Sequence, residues 1–151
     1  MRDDGDRRGT LAGMSDRDEI IDVAIAYTWA LDTKRLDDLR RVFTPDATAM
    51  LRDVECSGLD AIVDRIGGAI MRLDQTQHFV GNHQVEVDGD EATHRCQLQG
   101  QHVRAGTDGG DNYIVGGFYE DRFVRTPDGW RIAHRVMQQT WTEGNPAVVR
   151  R

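Results

Sequence analysis

Two short stretches of this chain carry a carboxylate and an imidazole that could work together: Tyr27-Thr-Trp-Ala-Leu-Asp32-Thr-Lys-Arg35 and Thr76-Gln-His78-Phe-Val-Gly-Asn82. A carboxylate that accepts from one imidazole nitrogen fixes the tautomer and stabilises the imidazolium. The other nitrogen is then a general base, because unperturbed imidazole titrates near ~6.5. On this view His78 removes a proton next to an electron-withdrawing group. Structural alternatives stand beside it. His78 could be a strand histidine satisfied by a backbone carbonyl, and Asp32 or Thr33 could cap the next helix. Asp32 falls near a helix C-terminus, where the dipole disfavours an anion by ~0.3–1 kcal/mol, so it needs a cationic or hydrogen-bonding partner. Tyr27 lies about one and a half turns earlier and does not share a face with Asp32. It is either a core aromatic or, if the helix lines a cavity, a hydroxyl donor to substrate oxygen.

The elements that must position these groups follow from apolar spacing. Ser15 and Asp16 are good N-caps, and Ile20, Val23, Ala24, Tyr27 and Leu31 recur at helical intervals, predicting a helix from Asp16 to Leu31. Leu36, Leu39, Val42 and Phe43 form the stripe of a second short helix, closed by Pro45. Ala47, Ala49 and Leu51 alternate as a strand. Ile62, Ile66, Ala69 and Ile70 predict a third helix over Leu59 to Leu73, whose glycines 67 and 68 allow close packing on a sheet. The rest is strand-like: Phe79 to Val87, an Asp88-Gly-Asp turn, Glu91 to Arg104, a Gly-rich loop over 105–112, Tyr113 to Arg125, a Pro127-Asp-Gly turn, and Trp130 to Thr140. Helices followed by a long meander give an α+β fold.

With 151 residues, the chain is expected to fold as one domain over residues 15–145, with tails at 1–14 and 146–151. A net charge of −7 without a basic cluster argues against nucleic acid as a partner. No apolar run approaches a membrane span and no signal peptide precedes the domain, so a cytoplasmic protein without a membrane partner is expected. Cys56 and Cys96 are too few for a disulfide framework or a zinc site and read as buried thiols. None of the five histidines has metal-ligand spacing, so no metal is expected, and His83 and His94 are expected to face solvent.

The helix end at Trp29-Ala-Leu-Asp32, the segment Leu39-Arg-Arg-Val-Phe-Thr-Pro-Asp46, the stretch Thr76 to Asn82, and the closing Asp128-Gly-Trp-Arg-Ile132 together resemble the SnoaL-like branch of the NTF2-like superfamily. Within it the chain is most similar to scytalone dehydratases, bile acid 7α-dehydratases and hexachlorocyclohexane dehydrochlorinases. The resemblance covers roughly Asp16 to Gly144. It implies a cone-shaped, curved antiparallel sheet with three N-terminal helices enclosing a cavity. It also implies a homo-oligomer, with a trimer favoured and a dimer open, and no metal or organic cofactor.

The resemblance also assigns roles. Asp32 and His78 match the dyad of the eliminating enzymes. Tyr27 matches a tyrosine of the bile acid dehydratases, and Leu31 stands where scytalone dehydratases place one. His102 falls near their second histidine and would hold or protonate a leaving group, unless it is a plain surface histidine. Arg135 matches a pocket arginine whose fixed charge could stabilise an enolate, unless it is a solvated strand residue. Met137, Gln139 and Trp141 continue its alternating face and are expected to shape the pocket wall. Asn82 either orients substrate or ties two strands together.

The expected function is a cofactor-independent, dehydratase-type lyase acting on a small, cyclic, largely apolar hydroxylated substrate, polyketide-like or steroid-like. An isomerase or polyketide cyclase would use the same proton abstraction. A non-catalytic ligand-binding domain differs in class, and a meeting of Asp32 with His78 inside a closed cavity would argue against it.

Overall fold

The computed structural model describes residues 13–150; most of the expected 1–14 tail lies outside them. Helix α1 spans Asp16–Asp32. The Ser15 side chain accepts from the Asp18 N–H at 3.1 Å, and the acids of the first turn favour the positive end of the dipole. Its apolar face, including Ile20, Val23, Tyr27 and Leu31, is buried.

The second expected helix is a 3-10 helix over Leu36–Arg41. It ends early because Phe43 already begins strand β1 (Phe43–Leu51). Pro45 therefore sits in a strand, within the irregular stretch between the Phe43–Ile132 and Thr48–His134 pairs, where a missing N–H does not interrupt the ladder. A tight turn leads into the unpredicted strand β2 (Val54–Ser57). Helix α2 (Leu59–Ile70) stops three residues short of expectation. Gly67 allows close packing on Leu36 of the 3-10 helix, whose Cδ1 lies 3.1 Å from where a Cβ would stand.

Strands β3 (Gln75–Asp88), β4 (Glu91–Val103), β5 (Asn112–Thr126) and β6 (Gly129–Gly144) form the meander. The curved, open sheet has the order β2-β1-β6-β5-β4-β3. It is mixed, not wholly antiparallel as expected, because β1 runs parallel to β6. Residues 146–149, expected as tail, form a second 3-10 helix capped by Asn145. Val148 is fully buried there with Leu73, Tyr113 and Val115, so this end closes part of the core. No helix among the described residues is long and apolar enough to cross a membrane. Cys56 and Cys96 are buried free thiols, and burial pushes Cys96 up to about 11.

Candidate active site

Asp32 ends α1, and its carboxylate meets the first residues of β3. Three donors converge on it. Thr76 Oγ1–H donates to Oδ1 at 2.9 Å, the His78 backbone N–H to Oδ2 at 2.8 Å, and His78 Nδ1–H to Oδ1 at 2.6 Å. They offset the unfavourable end of the helix dipole. Burial is the largest single influence and opposes ionisation, but the bonds from His78 and Thr76 together outweigh it and hold the carboxyl below its ordinary 3.8. An ionised carboxylate can only accept, so Nδ1 carries a proton, and in the neutral imidazole Nε2 is the nitrogen with the lone pair. Neither Asp32 nor Thr33 caps the next helix. The Thr33 hydroxyl returns to the Trp29 carbonyl at 2.6 Å, and the 3-10 helix begins after Arg35 without a side-chain cap.

His78 lines a cavity of about 250 Å³. Tyr27, Leu31, His102, Met137 and Gln139, all candidates in the sequence, also line it. Asp32 stands behind His78 and outside this lining, which leaves Nε2 as the nitrogen free to meet a ligand. The His102 ring stands nearly perpendicular to that of His78 at a centroid distance of 5.8 Å. Its Nδ1 lies 3.2 Å from the Tyr113 carbonyl. Burial, and then the neighbouring His78, hold its pKa below the ordinary 6.5, so His102 is neutral at pH 7.

Tyr119, missed in the sequence, joins Tyr27 in the lining, with ring centroids 5.6 Å apart. Burial raises both phenols, which therefore stay protonated and can donate. The signal was present: Tyr113, Val115, Tyr119, Asp121 and Phe123 share one parity of β5 and are all buried.

Gly100 was also missed. It pairs with His78 across the β3–β4 ladder, and a Cβ there would lie 3.2 Å from His78 Nε2 and 3.4 Å from His102 Cε1. Both rings therefore depend on a bare backbone between them. Gly100→Ala should shift the His78 ring by a few tenths of an ångström and lower turnover by roughly tenfold, since small misplacements of a reacting group are costly. The melting temperature should barely change. Unaltered turnover in the folded variant would show that this space is not used.

A model of the SnoaL-like domain matches residues 12–136. The chain belongs to the SnoaL-like domain family. An uncharacterized protein of Mycobacterium tuberculosis is 40% identical over 131 residues, covering 84% of this chain and 87% of that one. Terrestric acid biosynthesis cluster protein E of Penicillium crustosum is 33% identical over 141 residues, covering 89% and 90%. Among solved structures, a candidate aromatic ring hydroxylase of Novosphingobium aromaticivorans superposes with a TM-score of 0.79 at 27% identity, covering 89% of this chain and 96% of that one. A candidate scytalone dehydratase of the same organism gives 0.75 at 22% identity, with 84% and 85% covered. A hexachlorocyclohexane dehydrochlorinase gives 0.75 at 14% identity, with 84% and 86% covered. At those last two identities the likeness is of fold, and the fold is NTF2-like.

Three expected site residues of this SnoaL-like domain lie elsewhere, and β-bulges explain two of them. In β6 the ladder shifts between the Gly116–Trp141 and Gly117–Gln139 pairs. The extra residue, Thr140, ends the alternation that Met137 and Gln139 follow, so Trp141 leaves the cavity and is 44% exposed. In β3 the shift lies between Gly81 and Gln84. Asn82 adopts the left-handed region there at φ 53, is exposed, and donates to Gln97 Oε1 at 2.5 Å, so it ties two strands together and does not reach the cavity. The same bulge turns His83 inward.

The third, Arg135, is fully buried but does not line the cavity. Its guanidinium donates twice to Asp121, at 2.7 and 2.8 Å. It lies 4.5 Å from the Tyr27 ring centroid and 3.9 Å from that of Tyr119, behind the two phenols. His94 is likewise not solvent-facing. It is 2% exposed, with Nδ1 2.7 Å from Asp121 Oδ2 and Nε2 2.9 Å from His83 Nδ1. The alternation of Ala92, His94, Cys96 and Leu98 with polar residues of β4 was the available signal. Ligand atoms of His83, His94 and Cys96 all lie within 4.8 Å of one another and could hold a metal by proximity. The two imidazoles already share a direct hydrogen bond, at a separation shorter than the roughly 3.3 Å between two nitrogens on one tetrahedral zinc.

Proposed function

We propose that this SnoaL-like domain is a cofactor-independent lyase that eliminates water from a small cyclic β-hydroxy ketone. The observation that carries the reading is the Asp32–His78 bond at 2.6 Å, with His78 in the wall of a cavity. That arrangement supports acid–base chemistry, because the nitrogen opposite the carboxylate faces the space a ligand would occupy. The relative named for terrestric acid biosynthesis, and the likeness of fold to a candidate dehydratase and a dehydrochlorinase, support small-molecule chemistry.

In the proposed step, His78 Nε2 takes the proton from the carbon next to the carbonyl. The C–H electron pair forms the enolate, whose oxygen accepts from the Tyr27 or Tyr119 hydroxyl. The pair then returns to form the double bond, and the β-C–O bond breaks. The imidazolium of His78 gives its proton to the departing hydroxide, so water leaves and the base is restored. His102, neutral and already donating through Nδ1, would hold the leaving hydroxyl through Nε2. Arg135 would act from behind, as a positioning residue whose charge favours electron density on the two phenol oxygens. A cavity of about 250 Å³ suits one or two rings better than a four-ring frame.

A second reading, an isomerase or cyclase, is favoured by the perpendicular His78–His102 pair, which could take a proton at one carbon and return it at another. A panel of hydroxylated one- and two-ring ketones separates these. Elimination should give a new conjugated chromophore and a product lighter by one water. A product of unchanged mass would support isomerisation instead, and no turnover of any member would reject the elimination reading for this substrate class.

A further inference from the structure

The cavity wall has a charge pattern opposite to that of the chain. The chain has 26 Asp and Glu residues against 19 Lys and Arg. The cavity lining contains Arg52, Arg65 and Arg72 and no carboxylate at all. Arg72 donates to the Val149 carbonyl at 2.5 Å and fastens the C-terminal 3-10 helix to the wall. Arg52 and Arg65 are different: neither takes part in any ion pair among the described residues. Arg65 projects from half-buried α2. Arg52 occupies the β1–β2 turn in the left-handed region at φ 61, which disfavours any residue with a Cβ, and its N–H donates to the Met137 carbonyl at 3.1 Å. Two guanidinium groups in one cavity wall, with no carboxylate in that wall and no ion pair among the described residues, have the chemistry to hold an anion.

A second observation concerns Gln139. Its side-chain oxygen is buried, has no hydrogen-bond partner, and belongs to the same lining. Amide oxygen and nitrogen are interchangeable at such a site, so this amide can offer either a donor or an acceptor to a ligand. Gln139 follows Met137 along the inward face of β6, and Met137 pairs with Leu51, the residue before Arg52. Gln139 on β6 and Arg52 just past the end of neighbouring β1 therefore lie at the same side of the cavity. His78 lies on β3, four places from β1 in the sheet order.

We propose that the cavity selects a substrate bearing a carboxylate remote from the reacting carbon, held by Arg52 and Arg65, with a second polar group on Gln139. The inference rests on reading this cavity as the substrate site. Such a substrate would be a hydroxylated cyclic carboxylic acid whose charged end sits against β1 and α2 while its C–H bond faces His78. Binding energy from that remote charge would orient the reacting carbon.

The test compares two probes of nearly the same shape, 2-naphthoate and 2-naphthamide, by isothermal titration calorimetry. The native protein should bind naphthoate at least about tenfold more tightly, and added salt should weaken it selectively. Arg65→Gln and Arg52→Asn should each remove most of that preference while leaving naphthamide affinity unchanged. Asparagine tolerates the turn conformation, so the second variant should fold. Equal or tighter binding of naphthamide, a preference untouched in both variants, or no binding of naphthoate would each overturn the proposal. His78→Ala should keep the preference. An enzyme that eliminates water from neutral ketones but shows no charge preference would refute this site and leave the proposed reaction standing. A charge preference without elimination would do the reverse.

Discussion

Replacing His78 with alanine should lower turnover by ~10²–10⁴-fold, the usual worth of a positioned general base. The loss follows from geometry. His78 is the imidazole of the cavity wall whose tautomer is set by a carboxylate, at 2.6 Å, leaving Nε2 as the acceptor. Asp32→Asn should also lower turnover strongly, for two reasons. An amide cannot stabilise the imidazolium by charge, and its NH₂ group can turn toward Nδ1 and force the proton onto Nε2, which then cannot accept one. The two losses should not add in the double variant, because the groups act as one unit. Asp32 also receives the Thr76 hydroxyl and the His78 N–H, so the asparagine variant must be checked for folding by circular dichroism. The measurement is kcat for each variant on the best ketone of the panel. A folded His78→Ala protein with near-native turnover would discard the mechanism.

What could be read in the sequence, and what could not, divides at places where backbone periodicity breaks. The α1 boundary is legible to within one residue because an N-cap marks its start and the apolar spacing runs to its end. Tyr27, Leu31, His78, His102, Met137 and Gln139 are placed in the cavity wall because each lies on an uninterrupted stretch of helix or strand. Asn82 and Trp141 are misplaced because a single inserted residue reverses every later side chain, and neither the Gly81–Gln84 bulge nor Thr140 announces itself in composition. Arg135 follows the right alternation and still misses the cavity, since parity gives a face of the sheet but not what stands between that face and the ligand. Two tyrosines stand there. Strand β2 is only four residues long and pairs only with β1, too short for its own alternation to show. The parallel β1–β6 pair is a long-range choice that local pattern does not encode.

Asp121→Asn should be the most damaging single change to stability. The Asp121 and Arg135 side chains are both fully buried, and His94 Nδ1 also meets this carboxylate. Removing the anion leaves Arg135 charged inside the core, with two tyrosine faces and a neutral amide in place of a carboxylate. Breaking one side of a buried pair in this way costs about 3–5 kcal/mol. Replacing both members by apolar residues of similar volume, Asp121→Leu with Arg135→Met, should recover most of that loss, because no charge is then stranded. Urea denaturation of the three proteins reads this directly, and equal stability of Asp121→Asn and the native protein would show that the pair is not tightly coupled to the fold. Titratable groups of this network and of the cavity together set the response to acid. Burial holds His83 and His102 below the ordinary imidazole value of 6.5, so the unfolded chain takes up protons first and stability declines as pH falls below that value. Asp32 and Asp121 are held below the ordinary carboxyl value of 3.8. For Asp121, burial opposes ionisation most strongly, and the Arg135 charge and hydrogen bonds overcome it. Their contribution is fully present above 3.8 and is lost as pH falls from there through the lower folded values, giving a second decline. In Asp121→Asn the second decline should shrink while the first remains, which separates the carboxylate's share from that of the histidines.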